Sequence, residues 1–140
     1  MNSFARPAMV LACIVALHTG CSRNDLSANE LIEQLPGKSW IISRFSSEGK
    51  DDTDAFKGFV FAFKQNGQLF VSKGGNKIEA SWVIQESASR FIINMGPNDF
   101  TNKPLGALTK YWTLVDYNAG KLSLSADGGP GNGILEFITQ

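Results

Sequence analysis

The chain has 140 residues, of which 43% are hydrophobic and 19% are charged, and its 13 basic and 13 acidic side chains give no net charge at pH 7. This balance excludes the basic footprint of a nucleic-acid-binding protein and the composition of a disordered chain. A chain of this length accommodates one domain with its own apolar core.

Residues 1–20 have the three parts of a bacterial export signal. Arg6 gives a positively charged start, and the apolar run 8–17 is about half as long as the ~20 residues that span a bilayer. Small Gly20 stands directly before Cys21, as in the processing site of a bacterial lipoprotein. We therefore expect cleavage before Cys21 and lipid modification of its sulfur and its new N-terminus.

The predicted anchor decides where the protein resides. Several acyl chains on Cys21 bind a membrane far more strongly than the marginal single chain does. Ser22 follows Cys21 where an aspartate would favour retention in the inner membrane, so the resemblance to sorted lipoproteins implies the outer membrane, with the domain facing the periplasm or the cell surface. The alternative is ordinary cleavage, but His18 stands where that reaction requires a small residue.

The positions of cysteine and histidine exclude several kinds of active site. Cys13, Cys21 and His18 are the only such residues, and all three precede the predicted domain. Ser-His-Asp and Cys-His catalysis and zinc sites built on these ligands are therefore excluded. We predict a non-enzymatic protein with no catalytic residues, no metal and no cofactor, held together by its core without disulfides.

A polar tether (21–26) leads into the predicted domain (27–140), which begins with a short helix. Ser27 and Glu30 have the spacing of a capping box, and Pro36-Gly37 ends the helix. One apolar stripe follows the helical period: Ala28, Leu31, Ile32 and Leu35. Two turns are too few for an independent helix, so we expect it to close one end of the domain.

Beyond the helix, apolar residues recur with a period of two in about eight short segments. The predicted strands are 38–46, 58–64, 69–71, 78–85, 91–93, 111–117, 122–124 and 134–139. Asn66-Gly67 predicts a type I′ hairpin turn, and Gly74-Gly75-Asn76 predicts a second hairpin. Short links favour an all-β fold, an eight-stranded up-and-down antiparallel barrel with a short N-terminal helix.

This order of features resembles a family of bacterial lipocalin-like lipoproteins, over roughly residues 35–138. The matching segments are Leu35-Pro36-Gly37-Lys38-Ser39-Trp40, Asp52-Thr53, Phe59-Val60-Phe61-Ala62-Phe63, Asn66-Gly67, Ser81-Trp82, Tyr111-Trp112 and Gly133-Ile134-Leu135-Glu136-Phe137. The resemblance implies a calycin-type barrel and carries no catalytic motif.

Two polar stretches share some features with ion-binding or phosphate-binding loops. Asp51-Asp52-Thr53-Asp54 begins like a calcium loop, but Lys57 stands near the position of the invariant glycine and no glutamate closes it. The stretch 128–133 is rich in glycine but lacks the Lys-Ser/Thr ending of a phosphate-binding loop. We expect both to be solvated loops.

An eight-stranded barrel either fills itself with side chains or holds one small ligand. The aromatic residues predicted to point inward are therefore either core or ligand contacts: Phe59, Phe61, Phe63, Trp82 and Trp112. Two hypotheses follow for a partner besides the membrane. One is a small apolar ligand at a barrel mouth gated by residues 98–109. The other is a periplasmic protein that meets the loops 47–54 and 98–109, as in an inhibitor.

Overall fold

The structure is a computed structural model that describes residues 28–85, 90–118 and 120–140. The predicted signal peptide (1–20), the predicted lipidation site Cys21, the predicted tether (21–26) and the predicted capping residue Ser27 lie outside the described residues.

In the described residues, nine antiparallel strands follow one short helix. The elements are α1 (Ala28–Gln34), β1 (Trp40–Ser47), β2 (Lys50–Asp51), β3 (Val60–Phe63), β4 (Gln68–Lys73), β5 (Asn76–Gln85), β6 (Arg90–Asn94), β7 (Lys110–Asn118), β8 (Lys121–Ala126) and β9 (Gly133–Thr139). Strands β3 to β9 pair in chain order, and β1 pairs with both β3 and β9. Strand β2 has two residues and pairs antiparallel with the end of β1. The predicted fold, an eight-stranded up-and-down antiparallel barrel, is confirmed.

The two sides of β1 contribute unequally to closure of the barrel. On one side β1 pairs with β9 from Trp40↔Thr139 to Ser47↔Gly133, with a β-bulge between Ile42 and Arg44. On the other side its only register partner in β3 is Phe61, opposite Trp40. The connection between β2 and β3 therefore has to cover the rest of this edge.

Because successive strands run in opposite directions, alternate connections meet at the same end of the barrel. We name the end that carries α1 and the β3–β4 connection the helix end. The opposite end, the loop end, carries the connections 48–59, 95–109 and 127–132.

Helix α1 closes the helix end as predicted. Leu31 and Leu35 are fully buried in the core, and Ile32 packs against it. The indole Nε1 of Trp40 donates a hydrogen bond of 3.1 Å to the carbonyl oxygen of Leu35, which ties the end of the helix to the first strand. Tertiary packing thus stabilises a helix that is too short to form alone.

The first predicted hairpin is in place, but its turn type differs from the prediction. Gly67 has φ +84° whereas Asn66 does not have a positive φ, so a type I′ turn is excluded. The N–H of Lys64 donates to Gln68 (2.8 Å) and that of Gly67 to Lys64 (3.1 Å), the pattern of a type I turn followed by a bulge glycine. Gly74-Gly75, with φ +57° and +85°, has the positive angles of the type I′ turn instead.

One buried polar atom in the core is unsatisfied. The Tyr117 hydroxyl is buried beside Trp40 and has no hydrogen-bond partner among the described residues. An unpaired buried hydroxyl costs roughly 1–3 kcal/mol. We therefore expect Tyr117→Phe to raise the free energy of unfolding by about 1 kcal/mol in urea denaturation. Tyr111→Phe, at an exposed ring, is the control and should change it by less than ~0.5 kcal/mol. A loss of stability in Tyr117→Phe would mean that the hydroxyl binds a buried water.

Candidate functional site

The five aromatic residues proposed as ligand contacts occupy two different environments. Phe61, Phe63, Trp82 and Trp112 are buried in the barrel core. Phe59 lies before β3, not within it, and is half-buried at the loop end, where its N–H donates to a carbonyl of the preceding turn. The structure thus brings four of the five together and places the fifth at the barrel rim.

The barrel interior is filled with aromatic rings around Phe63. The Phe63 ring centroid lies 5.4 Å from that of Trp82, 5.8 Å from that of Phe91 and 5.6 Å from that of Phe137, all in edge-to-face geometry. Trp82 and Phe91 stack at 5.6 Å. These distances are those of favourable aromatic pairs, so the rings use one another as contact surface.

A concave surface formed by both long loops lies at the loop end. We name it the cleft; it has a volume of about 410 Å³ and lies between residues 50–56 and 98–107. Its lining is Phe45, Lys50, Asp52, Ala55, Phe56, Asn98, Lys103, Pro104 and Ala107. The structure therefore brings together the two loops that sequence analysis proposed as interaction segments.

The first of these loops, residues 48–59, is fixed to the exposed edge of β1. The Thr53 hydroxyl accepts a hydrogen bond from the Phe45 N–H (2.9 Å), and the Asp52 N–H donates to the Phe45 carbonyl (3.0 Å). A side chain and a loop amide thus take the place of a neighbouring strand at Phe45. Phe56, in the turn that follows, is buried 4.9 Å from the Phe45 ring and anchors the loop in the core.

The second loop, residues 95–109, is held by its own side chains. Thr109 accepts from the Met95 N–H (2.9 Å) and donates to the Gly96 carbonyl (2.7 Å). The Asn102 amide donates to the carbonyls of Met95 (2.8 Å) and Pro97 (3.0 Å). These bonds satisfy backbone groups that no strand reaches, so the loop has a defined conformation.

A 3₁₀ turn at Leu105–Leu108 carries a position where only glycine fits. A Cβ at Gly106 would lie 2.2 Å from the Pro97 carbonyl oxygen and 2.7 Å from the Asn98 Cα. The close approach lets the two halves of the loop pack against each other while Leu105 and Leu108 enter the core.

Phe100 stands out on this loop because it is 84% exposed. It begins a 3₁₀ turn whose N-cap, Asp99, accepts hydrogen bonds from the N–H (2.9 Å) and the hydroxyl (2.6 Å) of Thr101. A large aromatic ring in water on an immobilised loop has no role in packing the barrel. Such a residue is typical of a contact surface.

Each loop carries the same carboxylate–threonine arrangement. Hydrogen bonds from the Thr53 hydroxyl and N–H lower the pKa of the Asp51 carboxyl, and those from Thr101 lower the pKa of Asp99. Both carboxylates are therefore weak bases that fix loop conformation. Asp52 and Asp54 form surface ion pairs with Lys50 (3.4 Å) and Lys57 (3.1 Å).

The described residues contain no group of three or more histidine, cysteine, aspartate or glutamate side chains that could hold a metal ion. The acidic segment 51–54 is used instead for the threonine and lysine contacts above.

Comparisons with known proteins concern the fold. No family model and no curated protein matches the chain. The chain is similar to the crystal structure of a DUF4847 family protein from Bacteroides vulgatus, with a TM-score of 0.55 and 17% identity over 77% of this chain and 96% of that one. An NMR structure of a protein from Burkholderia xenovorans gives a TM-score of 0.47 and 14% identity over 79% and 86%. At such identities the first likeness shows the barrel fold alone.

Two points concern the relation of the chain to a membrane. Cys21 lies outside the described residues, so its lipidation stays a prediction. No helix in the described part of the chain is long and apolar enough to cross a membrane.

Sequence reasoning did not identify Phe45 and Pro104 as cleft residues, nor Phe100 as an exposed ring on the second loop. Both loops do carry a shared sequence signal, Asp-x-Thr, at 51–53 and 99–101. This spacing is typical of turns that are capped by a side chain, so it indicates that both loops are ordered. The absence of a strand or helix period in the same segments would by itself indicate flexible loops.

Proposed function

We propose that this chain is a non-enzymatic, lipid-anchored binding module of the bacterial envelope that takes an apolar group of its partner into the cleft. Because aromatic side chains fill the barrel interior, a binding site on the surface is favoured and a ligand inside the barrel is not. We also propose kinship with lipocalin-like lipoproteins, which the order of turns and aromatic residues supports.

The described chain begins with α1 at the end of the barrel opposite the cleft. A lipid on Cys21 would hold this end toward the membrane. The loop end then points away from the bilayer, into the periplasm or, on the outer leaflet, the medium. We propose outer-membrane anchoring, with the cleft accessible to proteins that do not enter the membrane.

One observation carries the proposal that the partner is a protein: the ring of Phe100 is 84% exposed on the loop that supplies Asn98 and Lys103 to the cleft. Binding energy in protein interfaces is concentrated in a few anchors, often aromatic, on surfaces that change little on binding. Phe100 supplies an exposed aromatic side chain on one of the two loops that form the cleft. Lys50 and Lys103 add charge at its edge.

The proposal is tested by placing a photo-crosslinking amino acid at Phe100 in living cells. We expect the crosslinker at Phe100 to capture one protein. In a second chain the crosslinker replaces Lys103, and there Phe100→Ala should reduce capture of the same protein at least about tenfold, which corresponds to a loss of ~1.4 kcal/mol of binding free energy. The matched control is the crosslinker at Asn66, which is exposed on a hairpin at the helix end. Capture of the same protein from Asn66, or none from Phe100, would contradict the proposal.

A small apolar ligand is the second candidate, favoured by the size and walls of the cleft. A volume of about 410 Å³ is within the range of small-molecule sites. The test uses Ala107→Trp, a variant whose larger side chain fills the cleft. The small-ligand candidate replaces the first one if the crosslinker at Phe100 captures no protein and an apolar ligand raises the melting temperature of the wild type but not that of Ala107→Trp.

A further inference from the structure

A small pocket on the outer face of β3 and β4 is lined by two lysine residues and, within the described chain, by no acidic residue. It shares no residue with the cleft. Its volume is about 240 Å³, and its lining is Ser39, Val60, Ala62, Lys64, Phe70, Ser72 and Lys77. The strand register brings these residues together, since Val60 lies opposite Ser72 and Ser72 lies opposite Lys77.

Both lysine side chains of the pocket reach over one aromatic ring. The ammonium nitrogen of Lys77 lies 3.9 Å from the centroid of the Phe70 ring, and that of Lys64 lies 5.9 Å from it. Phe70 has an outward position on β4, between the buried Leu69 and Val71, and is half-buried there. Because the face of an aromatic ring attracts cations, Phe70 holds two like charges at one place on the barrel surface.

Neighbouring carboxylates do not balance these two charges. In the part of the chain that the structure describes, neither Lys64 nor Lys77 forms an ion pair. The acidic residue Glu79 lies opposite Phe70 on β5, but it does not line the pocket. Lys73, at the end of β4, adds a further positive charge, and its ammonium lies over a different ring. The surface around Phe70 is therefore positively charged in a chain that has no net charge.

The donors of the pocket match an anion with several acceptor atoms. Each lysine ammonium has three N–H donors, and the hydroxyls of Ser39 and Ser72 add one each. A phosphate monoester carries a charge of about −1.5 to −2 at pH 7 and three acceptor oxygens, so it satisfies two separate ammonium groups better than a singly charged carboxylate does. Its charge would also offset the repulsion between the two lysines.

The size of the pocket limits what can be attached to the phosphate. A volume of about 240 Å³ is below the roughly 300–1,000 Å³ of sites for drug-sized molecules. Val60 and Ala62 are half-buried in its wall and offer apolar contact to a small ester group. We propose that this pocket binds a phosphate monoester through Lys64 and Lys77. The inference goes beyond the proposed function and depends neither on the cleft nor on the anchor.

The test is an NMR titration of the full chain in micelles of an uncharged maltoside detergent. Phenyl phosphate is the soluble probe, and phosphatidic acid added to the micelles presents the same terminal phosphate on a lipid. We expect saturable shifts of the Lys64, Phe70 and Lys77 signals with at least one of them, and none with phosphatidylcholine, whose phosphate is a diester. Shifts with phenyl phosphate assign the site to a soluble ligand, and shifts with phosphatidic acid alone assign it to a lipid headgroup.

Variants of the two lysines separate the pocket from general surface charge. Lys64→Met/Lys77→Met should raise the Kd of the bound probe at least about tenfold, the effect of losing charge-assisted hydrogen bonds. Lys64→Arg/Lys77→Arg keeps both charges and should retain binding. The matched control is Lys73→Met, which removes an exposed ammonium of β4 outside the pocket and should change the Kd less than about twofold.

Three results would overturn the inference. Absence of saturable shifts with both probes would show that the pocket does not bind phosphate. Equal affinity for benzoate and phenyl phosphate, which share the ring and differ in the anionic group, would show that the site does not select a phosphate monoester. An equal rise of the Kd in Lys73→Met and in Lys64→Met/Lys77→Met would assign the attraction to overall surface charge.

Discussion

Phe63→Ala is expected to lower the free energy of unfolding by about 3–5 kcal/mol, a large share of the total stability of a domain of this size. The phenylalanine ring contacts Trp40, Trp82, Phe91 and Phe137, so its removal leaves a cavity walled by four aromatic rings. Rings held by one another cannot collapse into such a space without breaking their edge-to-face contacts. The measurement is urea denaturation followed by tryptophan fluorescence.

Phe100→Ala is the matched control, since it deletes the same side chain from an 84% exposed position. We expect it to change the free energy of unfolding by less than ~0.5 kcal/mol. A loss below ~1 kcal/mol in Phe63→Ala would show that the barrel interior tolerates a void. In that case the aromatic residues would regain their role as candidate ligand contacts.

Cys21→Ser is expected to release the protein from the membrane or leave it unprocessed. Lipidation requires the cysteine sulfur, which serine does not supply, and the described fold contains no other cysteine. The barrel should therefore remain folded while its location changes completely. Cell fractionation measures the effect, with wild type expected in the outer-membrane fraction and the folded variant in the periplasm when cleavage still occurs.

Cys13→Ser provides the control, because it removes the other cysteine of the chain from within the apolar run of the leader. It should leave the protein in the outer membrane. Wild type found soluble, together with normal cleavage of Cys21→Ser, would mean that His18 directs ordinary cleavage and that the anchor does not exist.

The barrel was predictable because its strands are amphipathic. Alternation at a period of two reports which side of a strand is buried, and short turns restrict the order in which strands pair. The type of the Asn66-Gly67 turn was not predictable, because its glycine fits both the I′ turn and the bulge. Nor was β2, whose two residues are too few to show any period.

The candidate site was much less accessible to sequence reasoning. Phe56, Phe59 and Phe100 are the same residue type in irregular segments, yet the first is buried, the second half-buried and the third exposed. No local pattern separates them, because their environments depend on how two distant loops meet. The cleft therefore emerges only from the assembled barrel, whereas the positions of its loops follow from the breaks between strands.

Pairing of β1 with β9 has a consequence for how the protein matures. The contact from Trp40↔Thr139 to Ser47↔Gly133 joins the first and last strands of the barrel, so the most sequence-distant segments must meet before the sheet closes. Contacts of this kind slow folding, because a long loop is closed before any of them forms. A chain that crosses a membrane from its N-terminus would thus acquire its structure only after its final strand arrives. Until then, the free edges of β1 and β8 are open to proteases and to association with other unfinished chains.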